Sequence, residues 1–336
     1  MAKILRGTAA GVRTAARALR AGQLVGVPTE TVYGLAADAL SARACRKIFQ
    51  AKGRPSSDPL IVHVSGIEQA EVVAEVGAGA RRIMEALWPG PLTLVLPKKK
   101  GVPAIVTAGR ESVAVRMPEH AVMQAVIAAA GRPLAAPSAN VFGYISPTCA
   151  EHVQSGLGKK IRFIVDGGPC EIGVESTIVD LRDEARPQLL RPGKIGRKEI
   201  ERVLGRKVAA TGKPAGKGQE KEMLAPGMMA RHYSPRTPLV LKNKISARQI
   251  SKAGADEAFV VFGGNSRGPT KKNVFRWTNG RKAPDLAQMA RGLFALLREL
   301  DRGSWKCIHA ELAPPDSRFG GLAEAINDRL RRAAAR

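Results

Sequence analysis

Short apolar runs, cut off by glycine, proline and polar clusters, dominate the first two-thirds of the chain. Gly22-Gln-Leu-Val-Gly-Val27 reads as a buried strand that stops at Pro28, because proline forces extended or turn geometry on its neighbours. Further strands are predicted over 60–64, 92–96, 112–115, 163–165 and 177–180, and Pro133-Leu-Ala-Ala136 reads as a small-residue strand. Cys45, Ile48 and Phe49 share one face of a helix that opens near Ser41 and ends at Gly53 and Pro55. Other helical stretches cover 67–87 and 119–130, and one opens near Thr148. This pattern predicts an α+β domain ending near residue 205, with a mixed sheet around a concave surface.

The remainder alternates differently. From Pro238 onward the pattern is a strand over 239–241, a helix, a strand over 258–262, a second helix, and Cys307-Ile308 leading to a third. Leu286, Met289, Leu293, Leu296, Leu297 and Leu300 form the apolar face of the second helix, with Pro284 at its start. Strands alternating with helices predict a small three-layer α/β domain. Gly263-Gly264 after its strand reads as a turn. Between Lys194 and Glu222 nine basic and four acidic residues surround Gly212-Lys-Pro-Ala-Gly-Lys-Gly218, the composition of a flexible connector. The expected organisation is a large domain over 1–205, a linker and lid over 206–236, and a small domain over 237–336. Residues 1–20 are rich in Ala and Arg and free of acids, as in a transit peptide. However, Val12, Ala15, Ala16 and Leu19 recur at helical spacing, so the segment reads as the first helix.

At 336 residues and 44% hydrophobic content the chain is long and apolar enough for true cores, which excludes a disordered protein. No run approaches the roughly 18 apolar residues of a membrane span, so none is expected. Cys45, Cys149, Cys170 and Cys307 form no C-x-x-C pair, which argues against a zinc site or a disulfide framework and makes a reducing cytoplasm the expected setting. Fifty-four Lys and Arg against 29 Asp and Glu leave a net charge of +25, which points to polyanionic partners. Aromatic residues are only 4%, too few for a stacking platform on single-stranded RNA.

Two compact polar clusters stand where apolar elements give way to turns. Lys52-Gly-Arg54 sits at a helix exit, where its cations also complement the negative end of the helix dipole. Pro137-Ser-Ala-Asn140, followed by Gly143 and Ser146-Pro147, adds neutral hydrogen-bonding groups and a helix start with free backbone N–H groups. Together they have the mixture a phosphate chain needs.

Pro28-Thr-Glu-Thr-Val-Tyr-Gly34, Lys52-Gly-Arg-Pro55, Trp88-Pro-Gly-Pro-Leu-Thr93, Val115-Arg-Met-Pro118, Pro137-Ser-Ala-Asn140 and Gly173-Val-Glu-Ser-Thr177 resemble, in order, the signature segments of YrdC-like proteins. Ala225-Pro-Gly-Met228 and Arg231-His-Tyr-Ser-Pro235 resemble the linker of the longer, two-domain members, which are L-threonylcarbamoyladenylate synthases. The resemblance implies a twisted open mixed sheet. It also implies synthesis of an activated intermediate for threonylcarbamoyladenosine in tRNA from ATP, L-threonine and bicarbonate, with magnesium accompanying ATP.

By the same resemblance Lys52 and Arg54 are expected as catalytic cations. Arg54, Asp58, Ser112, Ser138, Asn140, Ser146, Arg191 and Tyr233 are expected at the nucleotide, and Thr31, His63, Arg116, Ala136 and Ser176 at threonine. Arg116, at a strand end, can pair bidentately with a carboxylate. His63 lies in an alternating strand and reads equally well as a core imidazole. Asp58 is chemically odd beside phosphates; it either orients Arg54 or faces the ribose. Neither Glu30 nor Glu175 is assigned as a base. The 225–235 segment is expected to close over the site as a lid with Arg231 and Tyr233, against the alternative of a proline-pinned spacer. Expected partners are the machinery that transfers the threonylcarbamoyl group to tRNA, with weak, salt-sensitive affinity for tRNA itself. The rival class is a basic RNA-binding protein without catalysis.

Overall fold

The computed structural model describes residues 1–210, 232–261, 272–277, 285–315 and 320–335. Residues 225–231, including Arg231, the run 212–218, Gly263-Gly264 and Pro284 lie outside the described residues.

Eleven strands form one mixed sheet: β1 (Lys3–Arg6), β2 (Val25–Val27), β3 (Gly34–Asp38), β4 (Ile61–His63), β5 (Leu92–Pro97), β6 (Ser112–Arg116), β7 (Leu134–Ala135), β8 (Phe163–Asp166), β9 (Thr177–Asp180), β10 (Gln188–Arg191) and β11 (Ala209–Ala210). Their spatial order is β1-β8-β2-β3-β7-β4-β6-β5-β9-β10-β11. Strand side chains alternate between faces, and here the two faces have different duties. Val62, Leu92, Leu94, Leu96, Val113, Val115 and Val179 enter the main core beside helix residues such as Ile48, Ile83 and Met84. The alternate positions Ile61, Val95, Ala114, Ile178 and Leu190 form a small cluster of their own. His63 and Arg116 share the parity of this second set.

The large domain departs from expectation in three places. Residues 1–20 are not one helix: Lys3–Arg6 pairs in parallel with β8 as an edge strand, and the helix is Ala9–Arg20. Only Leu5 of that strand is buried, so no alternation marks it in the sequence. The stretch 67–87 is two helices, Ile67–Val73 and Ala78–Leu87, because Glu75 N donates to Pro97 O and Gly77 starts the second helix. The sheet also runs past residue 205, since Ala209–Ala210 pairs with β10.

The small domain holds β12 (Leu239–Lys242), β13 (Glu257–Val261), β14 (Val274–Arg276) and β15 (Cys307–Glu311) in the order β12-β15-β13-β14, all parallel. Ala258 and Val260 pack under the helices Leu286–Arg302 and Leu322–Ala334, while Phe259 and Val261 face Ile250 of the short helix Ala247–Lys252. That division gives the three layers. No helix among the described residues is long and apolar enough to cross a membrane.

The helix Leu286–Arg302 docks on loops of the large domain. Arg291 Nε donates to Glu171 O at 2.9 Å, Arg298 donates to Ser146 O at 3.3 Å and to Ile145 O, and Tyr144 Oη donates to Asp301 at 2.7 Å. Gly173, at φ +80°, lets the helix approach: a Cβ there would lie 2.4 Å from Ala290 O. Gly173→Ala is therefore expected to cost about 3 kcal/mol from backbone strain and overpacking together. Gly22→Ala, at φ +69° with nothing within 4 Å, is expected to cost only about 1–2 kcal/mol. Urea unfolding of both variants checks the difference.

Candidate active site

The site forms where the second face of the sheet ends in polar residues. β4 and β6 are parallel and in register, so His63 and Arg116 lie side by side at their carboxyl ends, with Thr93 opposite Arg116 on β5. The guanidinium of Arg116 meets Glu30 Oε1 at 2.6 Å, donates to Thr31 Oγ1 at 2.9 Å, and donates through Nε to Gly90 O at 3.3 Å. The Glu30 contact lacks hydrogen-bond alignment, so both of its buried oxygens retain acceptor capacity. Ser176 Oγ and Thr93 Oγ1 share a hydrogen bond at 2.8 Å, and Arg191 donates to Ser176 O at 3.0 Å and to Ser176 Oγ at 3.1 Å.

The second polar floor comes from the end of the helix Ala42–Lys52, which terminates at Gly53 in the left-handed region, φ 65°. Arg54 turns inward, donating to Asp58 O at 3.1 Å and Pro59 O at 2.7 Å, with Asp58 Oδ1 2.9 Å from its guanidinium. Asp58 thus pairs with Arg54 through both its carboxylate and its backbone carbonyl. Burial raises the Asp58 pKa against the pull of Arg54 and Lys52. Lys52 has a place different from that of a direct phosphate ligand. Its buried ammonium donates to Ser138 O and Asn140 O, both at 2.6 Å, while its carbonyl accepts from Phe142 N at 2.9 Å. Burial and the neighbouring Arg54 push its pKa well below the ordinary lysine range, with Asp58 opposing.

The third wall is the described end of the proposed lid. His232, Tyr233 and Ser234 are buried. Tyr233 adopts φ 61°, stacks on Phe294 of the small domain at 5.5 Å, and its buried hydroxyl has no hydrogen-bond partner among the described residues. Burial and the charge of Glu175 push that phenol up to about 12.

These walls enclose a cavity of about 40 Å³. Nine of the expected site residues line it: Thr31, Arg54, His63, Arg116, Ala136, Ser138, Ser176, Arg191 and Tyr233. Lys52, Asp58, Asn140 and Ser146 stand behind them as braces. Asn140 Nδ2 donates to Val141 O and Tyr144 O, both at 2.8 Å, and Ser146 Oγ donates to Glu175 Oε1 at 2.6 Å. Ser112 lines a separate pocket beside Arg110 and Arg182. It shares Arg116's face of β6, four residues or roughly 13 Å away along the strand. His232 and Glu175 line the cavity without having been assigned a role in advance. Both lie within the quoted motifs, so the signal was present but carried no chemistry of its own.

A sequence profile of the family described as telomere recombination, Sua5–YciO–YrdC, matches residues 17–193. One described as threonylcarbamoyl-AMP synthase, C-terminal domain, matches residues 195–335. The chain belongs to the Sua5–YciO–YrdC family. Threonylcarbamoyl-AMP synthases of Pyrococcus abyssi and Bacillus subtilis are each 41% identical to it, covering 96% of this chain and 94% and 92% of theirs. The crystal structure of P. abyssi Sua5 complexed with L-threonine matches at a TM-score of 0.86 and 39% identity, covering 99% of this chain and 97% of that one. The two-domain Sua5 architecture is therefore present over the whole length.

Two histidines make this Sua5-family site sensitive to acid. Burial, then the charge of Arg116, pulls His63 down to about 3, and burial with Arg54 and Lys52 pulls His232 well below its ordinary value. Both stay neutral in the fold while the unfolded chain protonates near pH 6.5, at about the reference histidine value. The unfolded state then binds more protons, so stability is lost as pH falls from about 6.5 towards about 3. Each histidine contributes a slope of up to about 1.4 kcal/mol per pH unit. Urea midpoints at pH 7.5 and 5.0 should show the drop, and His63→Gln should flatten it; an equal slope in that variant contradicts the assignment.

Proposed function

We propose that this protein is a nucleotidyltransferase that makes L-threonylcarbamoyladenylate from L-threonine, bicarbonate and ATP, releasing pyrophosphate, for threonylcarbamoyladenosine modification of tRNA. The observation that carries this reading is the convergence of Arg116 with Arg54 and Arg191 on one cavity. It provides a carboxylate-binding cation beside phosphate-binding cations, within reach of a common reaction centre.

In this reading threonine's carboxylate pairs with Arg116, and its hydroxyl and amine find Thr31, the neutral imidazole of His63, and Ser176, beside Ala136. The amine nitrogen bonds to the carbon of bicarbonate with loss of water, giving a carbamate. A carbamate oxygen then bonds to the α-phosphorus of ATP as the bond to the bridging oxygen breaks and pyrophosphate departs. One anion attacks another, so the protein's task is charge neutralisation and alignment rather than covalent catalysis. Arg54 and Arg191 face the phosphates, with Ser138, Ser146 and Tyr233 on the nucleotide side and Ser112 further along the sheet face. Lys52, Asp58 and Asn140 hold Arg54 and the 138–140 turn in place.

Among the described residues no group of three or more His, Cys, Asp or Glu could cage a metal ion. In this reading magnesium would come with the nucleotide and offset the phosphate charge beside Arg54 and Arg191. The product passes to the tRNA threonylcarbamoyl-transfer machinery of the cytoplasm, and the +25 charge adds weak, salt-sensitive tRNA affinity.

The test is incubation with magnesium, bicarbonate and α-labelled ATP, with and without L-threonine. A threonine-dependent adenylate and pyrophosphate are expected, and tRNA binding without ATP turnover would instead favour the rival class. Arg116→Ala should raise KM for threonine about 10- to 100-fold, the loss of a charge-assisted hydrogen bond of about 1.5–3 kcal/mol. Unchanged kinetics in that variant would remove the threonine assignment.

A further inference from the structure

One buried arginine crosses from the small domain to the back of the site. Arg329, on the helix Leu322–Ala334, is fully buried. Its Nε donates to Glu175 Oε2 at 2.9 Å, and the two terminal nitrogens donate to Glu175 O at 3.1 Å and Pro192 O at 2.7 Å. The other Glu175 oxygen, Oε1, accepts from Ser146 Oγ at 2.6 Å. The guanidinium carbon of Arg329 lies 5.7 Å from the centroid of the Tyr233 ring. Less than a turn further along the same helix, Arg332 O accepts from His232 N at 3.3 Å and Ser234 Oγ at 3.4 Å.

The contacts are lopsided. Ser146 is one bond beyond Glu175, Pro192 follows Arg191 directly in the chain, and Tyr233 lies against the guanidinium itself. All three belong to the nucleotide side of the reading above, on which this inference rests. On the threonine side Ser176 follows Glu175 and accepts from Arg191, whereas Arg116 is held by Glu30, Thr31 and Gly90, none of which has a hydrogen bond or ion pair to the small domain among the described residues. Arg329 does not line the cavity, and its donors are directed at Glu175, Pro192 and Asp328.

We propose that Arg329 is a positioning residue for the nucleotide half of the site. By fixing Glu175, the Pro192 carbonyl and the Tyr233 ring it sets Ser146, Arg191 and Tyr233 for ATP, leaving the Arg116 end of the site, which anchors the threonine carboxylate, to the large domain. A purely structural role would weaken both substrates together; a positioning role separates them.

The full-length protein tests this by calorimetric binding of L-threonine without nucleotide, beside binding of a non-hydrolysable ATP analogue and steady-state KM for ATP. Arg329→Gln is expected to weaken the analogue and raise KM for ATP at least 10-fold, with the threonine Kd within 2-fold of wild type. Glu175→Gln, in the large domain, should shift the same parameters in the same direction. The double variant should fall within about 3-fold of the worse single one, because both break one linked set of contacts. Arg329→Lys, which keeps the charge beside Glu175, should recover part of the ATP affinity, and it decides the question if Arg329→Gln fails to fold. Unchanged ATP parameters, parallel loss of both substrates, or additive single effects would overturn the proposal. A wild-type protein that makes no threonine-dependent pyrophosphate would instead remove the functional reading, an outcome separate from all of these.

Discussion

Burial of charge is the constraint on which the rest of the structure depends. Lys52, Arg54, Arg116, Arg191 and Arg329 are all buried around one small cavity, with Glu30, Asp58 and Glu175 as the buried carboxylates among them. Removing an ion from water costs several kcal/mol unless charge and hydrogen bonds replace the hydration shell. The fold supplies the replacement from backbone carbonyls at loop positions: Ser138 and Asn140 for Lys52, Asp58 and Pro59 for Arg54, Gly90 for Arg116, Ser176 for Arg191. The loops are therefore pinned by the charges they solvate, and the sheet below them fixes where the loops begin. Cationic side chains still outnumber carboxylates, which suits the site to anionic substrates and orients its dipoles before they arrive.

The small domain follows from the same constraint. The second face of the large sheet ends in polar residues that water would otherwise screen. The helix Leu286–Arg302, the helix Leu322–Ala334 and residues 232–234 cover them, and Val32, Ile145, Ile172 and Val174 join the small domain's apolar core. The resulting cavity of about 40 Å³ is far below the roughly 300–1,000 Å³ of sites that hold drug-sized ligands. A site this small leaves little room for water, to which both a carbamate and a mixed anhydride are labile.

Much of this was legible in the sequence because the motifs fall at element ends. Ser41 and Gly53 bracket a helix whose exit carries Lys52 and Arg54, and the short run 112–115 read as a strand with Arg116 at its end. The strands at Lys3–Arg6, Gly34–Asp38 and Val274–Arg276 were not, since short strands take their identity from partners far along the chain. Lys52 as a brace was also out of reach, because a cation at a helix exit reads the same whether it meets a phosphate or a carbonyl. Arg329 did leave a trace. It sits among Leu322, Ile326, Leu330 and Ala333 on an otherwise apolar stripe, and a charge in such a stripe signals a buried partner.

The central claim is that these buried cations are matched to substrate anions, with Arg116 matched to a carboxylate. Calorimetric comparison of L-threonine with L-threonine amide, which keeps the hydroxyl and amine and loses only the negative charge, tests it most directly. The account predicts that threonine binds and that the amide binds at least about 10-fold more weakly, the equivalent of one charge-assisted hydrogen bond. Equal affinity for the two would contradict it.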